Sequence, residues 1–417
     1  MQVLYRRCAG LDVHQANVVA CVRIAEGPRA SHEVRTFETT TKGLLALADW
    51  LRESACTHVA MESTGVYWKP VWHVLEGEFE LVLANASHIR NVPGRKTDVN
   101  DATWIADLLA HGLIRSSFVP PAQVQELRDL TRTCKQLVRE LARHTQRIQK
   151  TLEDANIKIA GVISDILGAS GRAFLEAIVA GETDPEKLAD LAHARLRAPR
   201  HRIVEALRGR VGEHHRFMLK LHLAQIGAIE NAIAEIEKRL GERLEPFRED
   251  VKLLVTMPGI SQTAAQVMAS EMGLDMGRFP SANNLVSWAG MCPRSDESAG
   301  KRRSTRIRKG APWLKTTLIQ AAWAAVRTKN SYLRAMFHRL KARRGPMKAI
   351  VAVAAAMLRS AYYMLVHRCP YQDLGPTHFD RITRTRTVGR LLKRLKNLGI
   401  EVVQTRITDP APELVSS

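Results

Sequence analysis

Two stretches of the chain carry apolar residues at steps of three and four, and this spacing constrains the fold more than any other feature. The first stripe runs from Val124 to Leu152 and the second from Leu219 to Leu244. Such steps place apolar side chains along one side of an α-helix. We therefore predict two long helices, with shorter helices between 172 and 210. They fold back either as an antiparallel coiled coil, which would serve as a dimerisation or spacer arm, or as a plain helical bundle.

The first 120 residues alternate between strand and helix patterns. The segment 8–24 reads as two β-rich runs joined by a polar turn from His14 to Asn17. Further patterns predict a helix at 42–53, strands at 57–65 and 80–86, and a helix within KTDVNDATWIADLLAHG at 96–112. Strands that alternate with helices indicate an α/β domain.

Four acidic residues fall at special places in these elements. Asp12 lies inside the first strand, where β-propensity disfavours it, and Glu62 ends a later strand. Asp98 and Asp101 open the helix at 96–112. A sheet with its first strand in a central position can bring all three elements to one edge.

Carboxylates packed together repel one another unless cations neutralise them, and Mg²⁺ or Mn²⁺ prefers oxygen ligands. Two such ions, about 3.5 to 4 Å apart, can hold the attacking and leaving oxygens of a phosphodiester. This is the layout of ribonuclease-H-like enzymes. A simpler interpretation of Asp98 and Asp101 is also open, because helix starts favour aspartate as a cap and as a first-turn charge. Tyr67 and Trp68, which follow Glu62, could stack on a base or lie in the core, and we favour the core.

The charge balance favours a polyanionic partner. Lys and Arg number 62 against 42 Asp and Glu, which gives a net charge of +20 and a pI near 10.1. A generally basic surface would have the same balance, but the charge is clustered. Residues 294–309 hold seven Lys or Arg and two acids, a net of +5, and the last forty residues contain RITRTR and a short basic amphipathic helix, GRLLKRLK. Clustered basic residues are typical of nucleic-acid binding.

Other features exclude several classes of protein. The six cysteines are scattered, without the spacing of a zinc site or a disulfide framework, as expected in a reducing cytosol. The segment MQVLYRRCAG has no apolar run of the signal-peptide kind. The most apolar stretch, 349–358, is too short to span a bilayer. We expect no membrane partner and a cytoplasmic, nucleoid-associated location.

The region after Pro246 combines two patterns. Residues 251–273 read as helix, Pro-Gly turn and helix, and LLVTMPGIS looks like the turn of a helix-hairpin-helix module, whose backbone N–H groups can hold a phosphate. A Ser/Gly/basic loop follows, and a strongly apolar helix begins at Pro312.

Three acidic blocks in order, GLDVHQAN, ESTGVYW and KTDVNDATWIADLLAHG, resemble those of the DEDD transposases in the insertion-sequence family called "one-ten", which includes the Piv-type DNA invertases. The later segment SWAGMCPRSDESAGKRRSTRIRKGAPWLK resembles the second block of that family. The resemblance covers roughly 8–365, and the combination of blocks is highly specific.

This resemblance implies a RuvC-like N-terminal domain at 1–120, with Asp12, Glu62, Asp98 and Asp101 as catalytic ligands of Mg²⁺ or Mn²⁺. It further implies a helical coiled-coil region at 121–247 and a mainly α-helical transposase domain at 248–370 that supplies a catalytic serine. A basic tail would occupy 371–417. The expected partners are DNA at the element ends and target, a non-coding bridge RNA that pairs with both DNAs, and further copies of the chain, as dimers that assemble into a tetramer.

A serine hydroxyl that attacks a phosphodiester forms a protein–DNA ester and so conserves the bond energy for rejoining. The candidates are Ser287, Ser295, Ser298 and Ser304, and we choose Ser298, because the Ala-Gly that follows permits a close approach to phosphate. The residues expected to bind nucleic acid are the cations that follow it: Lys301, Arg302, Arg303, Arg306, Arg308 and Lys309.

Three functions remain in competition. The leading one is a site-specific DNA recombinase that moves its own element. The second is a metal-dependent junction nuclease that uses water as its nucleophile. The third is a non-catalytic nucleic-acid-binding protein in which the acidic residues only cap helices and face solvent.

Overall fold

The structure is a computed structural model. It describes residues 3–26, 30–63, 65–84, 89, 101–114, 116–293, 296–298, 301–304, 306–308, 310–400 and 402. The chain divides into two compact units, Met1–Pro120 and Pro121–Ser417. A further division of the second unit near 247 and 370 stays a prediction.

The first unit is a mixed five-stranded sheet with helices on both faces. Its strands are β1 (Arg7–Val13), β2 (Asn17–Ile24), β3 (Ser31–Glu38), β4 (His58–Glu62) and β5 (Glu80–Ala84). Its helices, within the described residues, are α1 (Thr41–Glu53), α2 (Trp68–Leu75) and α3 (Asp101–Ala110). The strand order is β3-β2-β1-β4-β5, with β1, β4 and β5 parallel and β2 antiparallel to both of its neighbours. This α/β arrangement is compatible with a ribonuclease-H-like domain.

The predicted hairpin and the central position of the first strand are confirmed. The turn between β1 and β2 is closed by the His14 backbone N–H, which donates to the Asn17 carbonyl at 2.9 Å. Leu11 and Met61 pack in one core with α1 and α2. On the other face, Ala60 packs with Ile105 of α3. Because β1 and β4 are covered on both sides, they carry near-continuous apolar runs.

Two features of the first unit differ from the expectations. Strand β3 was not predicted, because it is an edge strand whose side chains are almost all exposed and show no apolar alternation. Tyr67 is not in the core, since 39% of it is exposed, whereas Trp68 packs against the core and lies edge-on to Trp72 at 5.9 Å. The prediction was therefore wrong for Tyr67.

The second unit is helical. Its helices are α4 (Ala122–Asp154), α5 (Ala169–Ala180), α6 (Pro185–Asp190), α7 (Arg200–Leu207), α8 (Glu213–Leu244), α9 (Arg248–Val255), α10 (Gln262–Met272), α11 (Ala282–Trp288), α12 (Pro312–Ala325), α13 (Tyr332–Arg344), α14 (Pro346–His367) and α15 (His378–Asn397). Short 3₁₀ turns lie at Ile159–Gly161, Glu245–Phe247 and Met276–Arg278. A two-stranded hairpin is formed by β6 (Asp296–Ser298) and β7 (Lys301–Ser304).

The two predicted long helices, α4 and α8, pair antiparallel along their length. Contacts at three levels fix this direction: Glu126 with Arg239 and Arg243, His144 with His222, and Asp154 with His215. At one end of the pair, Ile148 and Ile226 join a core with α5 to α7. At the other end, Leu127 and Leu240 join the main core of the C-terminal helices.

Helix α14 runs through this main core and explains the most apolar stretch of the sequence. It is 22 residues long, more than the ten apolar residues of 349–358, and is long and apolar enough by composition alone to cross a membrane. More than half of the most apolar 18-residue stretch of this helix is buried inside the unit. Val353, Ala354 and Met357 are among its fully buried residues, so its apolar character is accounted for by packing.

Two C-terminal predictions need correction. The Ser/Gly/basic loop before Pro312 contains the β6–β7 hairpin. The basic helix at 389–396 is part of the longer α15, which also takes in RITRTR. Helix–turn–helix at 251–273 and the apolar helix from Pro312 are confirmed.

Candidate active site

Asp12 and Glu62 occupy neighbouring positions on adjacent strands. β1 and β4 are parallel, and their last paired residues are Leu11 and Met61, so Asp12 and Glu62 come next on each strand. Side chains alternate along a strand, and Leu11 and Met61 face α1 and α2. Asp12 and Glu62 therefore face the side that α3 covers, one strand spacing of about 4.8 Å apart.

Helix α3 crosses this face with its first turn toward Asp12. Gly10 lies against Ala102 and Ala106, whereas Cys8, two residues earlier on β1, donates to the Ala106 carbonyl at 3.7 Å. α3 therefore runs in the opposite direction to β1. The next residue on this face of β1 is Asp12, and Asp101 is in the first turn of α3. Asp101 thus belongs to the same end of the sheet.

The Asp12 carboxylate has a neighbour that sequence reasoning missed. His14 Nε2 lies 3.1 Å from Asp12 Oδ2, and about a fifth of the Asp12 side chain is exposed. The one sequence signal for His14 is its place in the polar turn that follows the strand of Asp12.

The structure describes only some of the residues of the predicted metal site. Asp98 lies outside the described residues. Among the residues that the structure does describe, no three His, Cys, Asp or Glu side chains lie close enough together to hold an ion. Of the described residues that we place at this edge, Asp12, Glu62 and Asp101 offer carboxylate oxygens, which are the ligands that Mg²⁺ and Mn²⁺ prefer. The role of Asp12, Glu62, Asp98 and Asp101 as metal ligands stays a prediction.

Ser298 lies at the end of a β-hairpin in the second unit. β6 and β7 are antiparallel, Ser298 pairs with Lys301, and an irregularity in register falls between Asp296 and Glu297. An isolated antiparallel bridge between Pro293 and Ile307 closes the base of the hairpin. The backbone therefore places Ser298 beside the start of the basic strand Lys301–Ser304.

The other residues of this segment have mixed surroundings. Arg306 and Arg308 are exposed, while the side chains of Ser298, Lys301, Arg302 and Arg303, and the whole of Lys309 and Ser295, fall outside what the structure describes. The remaining serine candidates are half-buried: Ser287 on α11, and Ser304, whose hydroxyl accepts from the Arg306 N–H at 3.2 Å.

An aromatic–cation cluster directly after the hairpin was also missed. Trp313, in the first turn of α12, lies within 5.2 to 6.0 Å of the cationic groups of Arg132, Lys135 and Arg139 on α4. Lys135 Nζ also donates to Thr317 Oγ1 at 3.0 Å, and burial lowers the pKa of this ammonium group. The three cations recur at steps of three and four along α4, which was the available signal.

The helix-hairpin-helix-like turn lies on the same side of α12. Ser261 caps α10 by accepting from the Ala264 N–H at 3.2 Å, and Ser261, Gln262 and Thr263 are exposed. The turn borders a cavity of about 650 Å³, lined also by Lys135 and Thr317. Phosphate binding at this turn stays a prediction.

Comparison with known protein families assigns the chain to a class. A DEDD-type model described as transposase matches residues 9–157, which includes Asp12, Glu62, Asp98 and Asp101. A model described as the transposase IS116/IS110/IS902 family matches residues 251–338, which includes the serine hairpin. No curated protein that was compared matches the chain. Both models describe transposases, so the chain is in the class of DNA-processing enzymes.

Within that class, the chain belongs to the IS110 family of insertion-sequence transposases. The two matched segments, together more than half of the 417 residues, occur in the order that the sequence blocks predicted. DNA is therefore a partner of this protein.

Proposed function

We propose that this transposase cuts and rejoins DNA through a covalent serine–DNA intermediate, with divalent-metal assistance from the carboxylates of the first unit. The observation that carries the proposal is the convergence of Asp12 and Glu62 on one edge of the sheet, with the first turn of α3 directed to the same end. A catalytic serine hairpin in the second unit would complete the machinery.

The carboxylates have a defined part in this scheme. Asp12, Glu62, Asp98 and Asp101 would hold Mg²⁺ or Mn²⁺, which supplies positive charge to the oxygens of a phosphodiester when bound. Asp12 and Glu62 lie on paired strands and Asp101 lies in the first turn of α3, so backbone hydrogen bonds of the sheet and helix position the stretches of chain that carry them. His14, in contact with Asp12, would help to orient that carboxylate.

The serine step is a phosphoryl transfer. The Ser298 Oγ–P bond forms as the bond between phosphorus and the leaving deoxyribose oxygen breaks, and the hydroxyl proton ends on that leaving oxygen. The number of phosphoester bonds is unchanged, so a second deoxyribose hydroxyl can reverse the reaction and join a new strand without an external energy source. Lys301, Arg302, Arg303, Arg306, Arg308 and Lys309 would neutralise the phosphates nearby.

Target choice belongs to the same proposal. A bridge RNA that pairs with donor and target DNA would read sequence, which leaves backbone binding to the protein, and a net charge of +20 suits that task. Acids from one subunit and a serine from another would form each site, in dimers that assemble into a tetramer. The reaction would take place on DNA in the cytoplasm of a bacterial or archaeal cell, at the nucleoid.

The decisive experiment traps the intermediate and identifies the side chain that carries DNA. Strand transfer is measured with Ser298→Ala, Ser304→Ala, Asp101→Asn and Asp12→Asn, and the adduct is mapped by mass spectrometry. We expect Ser298→Ala to lose both transfer and adduct, Ser304→Ala to keep both, and both aspartate variants to lose transfer. Glu53→Gln, an exposed carboxylate on α1, is the matched control.

The competing functions give different results. A water-using junction nuclease would form no adduct and would tolerate every serine variant while losing activity with the aspartate variants. A non-catalytic binding protein would neither cut DNA nor bind Mg²⁺ or Mn²⁺ in a calorimetric titration. Full activity of Ser298→Ala or of Asp101→Asn would remove that residue from the mechanism.

A further inference from the structure

More than half of the net charge of the protein lies on two neighbouring helices, α13 and α15. Helix α13 holds five Arg or Lys and no acid, and α15 holds seven Arg or Lys and one Asp. Together they carry +11 of the net +20 of the whole chain. Helix α15 lies beyond both family matches, the second of which ends at residue 338. The family matches therefore assign no role to the positive charge of this helix.

An aromatic contact fixes the first turn of α15 beside α13. The rings of Tyr332 and Phe379 stack with centroids 5.1 Å apart and an interplanar angle of 20°. The Arg339 guanidinium lies 4.8 Å from the centroid of the Phe379 ring, and Asp373 accepts from the Tyr332 N–H at 2.8 Å. These contacts hold the first turn of α15 against α13, so the two basic helices belong to one surface.

The cations on this surface face solvent. On α13, Leu333 and Phe337 are buried in the main core, which leaves Arg339, Lys341, Arg343 and Arg344 exposed. On α15, the described cations Arg381, Arg390, Lys393, Arg394 and Lys396 are all exposed. Beyond the first turn, most of the side chains that the structure describes on this helix are exposed, including 70% of Ile382 and 51% of Leu391. A helix with so many exposed cations favours binding to a partner of negative charge.

We propose that α13 and α15 form a binding site for the sugar–phosphate backbone of duplex DNA, separate from the serine hairpin and from the carboxylate edge. Twenty residues of helix extend about 30 Å, close to one turn of B-form DNA. A single projecting helix fits the major groove of B-DNA, which is about 12 Å wide. The deep, narrow major groove of A-form RNA does not admit one. The geometry thus favours duplex DNA over duplex RNA.

The site would hold DNA without reading its sequence. Phosphate contacts by Arg and Lys fix position and add affinity, but they carry no direct sequence information. The site would therefore hold flanking duplex whatever its sequence. It does not depend on serine chemistry or on bridge RNA, so it goes beyond the function proposed above.

The test measures binding of the full chain to a labelled 30-base-pair duplex of arbitrary sequence by fluorescence anisotropy over a range of salt concentrations. The variant combines Arg390→Gln, Lys393→Gln and Arg394→Gln, and the matched control combines Arg202→Gln, Lys220→Gln and Lys238→Gln, which are exposed cations of α7 and α8. We expect the variant to bind about tenfold or more weakly, with a salt dependence shallower by about 3 in log–log slope. The control should change neither quantity.

Two further arms make the result decisive. A structured RNA hairpin and phosphatidylserine vesicles are measured with the same variants, and circular dichroism checks the helix content. Unchanged duplex binding overturns the proposal, as does a loss confined to RNA or to vesicles. Duplex binding is measured without strand transfer, so a failure of the serine mechanism would leave this result unaffected.

Discussion

Gly10 on β1 lies directly against Ala102 on α3, with no room for a side chain between strand and helix. A Cβ atom at Gly10 would overlap the Ala102 carbonyl oxygen and the Ala106 backbone nitrogen. Because these neighbours are backbone atoms, neither can turn aside as a flexible side chain would. The close approach lets α3 lie low over the strand that bears Asp12, and it sets the distance between Asp101 and the end of the sheet.

Gly10→Ala should therefore destabilise the first unit. The added methyl group forces strand and helix apart, and overpacking of this kind costs about 1 to 3 kcal/mol. Urea unfolding followed by circular dichroism measures the change. Gly227→Ala on α8 is the control, because a Cβ atom there meets nothing within 4 Å and alanine favours a helix by about 1 kcal/mol. A Gly10→Ala protein as stable as the parent would show that α3 does not pack this closely.

An ion pair between a partly exposed arginine and a buried carboxylate joins the long helix α4 to α10. Glu271 is 1% exposed, and Arg132 donates to its two carboxylate oxygens at 2.7 and 2.8 Å. Arg132→Met would remove both of these hydrogen bonds from the buried carboxylate, and the loss of one partner of such a pair typically costs about 3 to 5 kcal/mol. We expect a clear fall in the midpoint of thermal unfolding.

Arg239→Met is the control for that ion pair. It breaks an exposed contact to Glu126 on the same α4 helix, where water screens the charges. Its midpoint should stay close to that of the parent protein. Equal effects of the two substitutions would mean that the Arg132–Glu271 pair does not hold α4 to α10.

The sequence predicted elements that have a strong apolar pattern, and it could not fix their registers. The β1–β2 hairpin, helix α1 and the long helices α4 and α8 follow from periodicity alone. That Leu11 pairs with Met61, and so places Asp12 beside Glu62, depends on a parallel pairing between strands separated by 44 residues of chain. Nothing local in either strand specifies that register.

Exposed elements were not predicted because they lack a strong apolar pattern. β3 has the sequence SHEVRTFE, in which one half-buried position, Phe37, packs against the core, so no alternation was visible. The serine hairpin is too short and too basic to resemble a strand pair. The contact of Trp313 with Arg139 joins helices far apart in sequence, and only the fold brings them together.

The buried cysteines of the first unit should resist alkylation. Burial raises the pKa of the Cys8 thiol to about 11 and that of the Cys56 thiol to about 12. At pH 8 both are almost entirely in the neutral thiol form, which is not the nucleophile. Iodoacetamide at this pH should modify the half-exposed Cys292 and Cys369 well before Cys8 and Cys56, as measured by peptide mass spectrometry.

Denatured protein provides the reference for alkylation, since all six thiols should then react at similar rates. Modification of Cys8 in the native protein as fast as that of Cys369 would mean that β1 opens readily to solvent. Such opening is not compatible with a strand that positions Asp12.

Two glycines hold together the ends of the segment that carries Ser298. Gly290 and Gly310 both have positive φ angles, +70° and +51°, and a Cβ atom on Gly310 would meet the Ala289 carbonyl oxygen and the Gly290 Cα at 2.5 Å. Gly310→Ala should push the two ends apart and add backbone strain, because alanine disfavours the left-handed region. The hairpin would then lose its position relative to α12.

We expect Gly310→Ala to reduce strand transfer at least tenfold while the helical core still melts cooperatively, because the hairpin lies outside that core. Transfer is measured with labelled element-end DNA, and limited proteolysis reports exposure of the hairpin. Gly345→Ala is the control: Gly345 also has a positive φ, +79°, so alanine there also adds backbone strain, but a Cβ atom meets nothing within 4 Å. Normal transfer by Gly310→Ala, or an equal loss in Gly345→Ala, would show that closure of the segment by Gly290 and Gly310 does not position the serine.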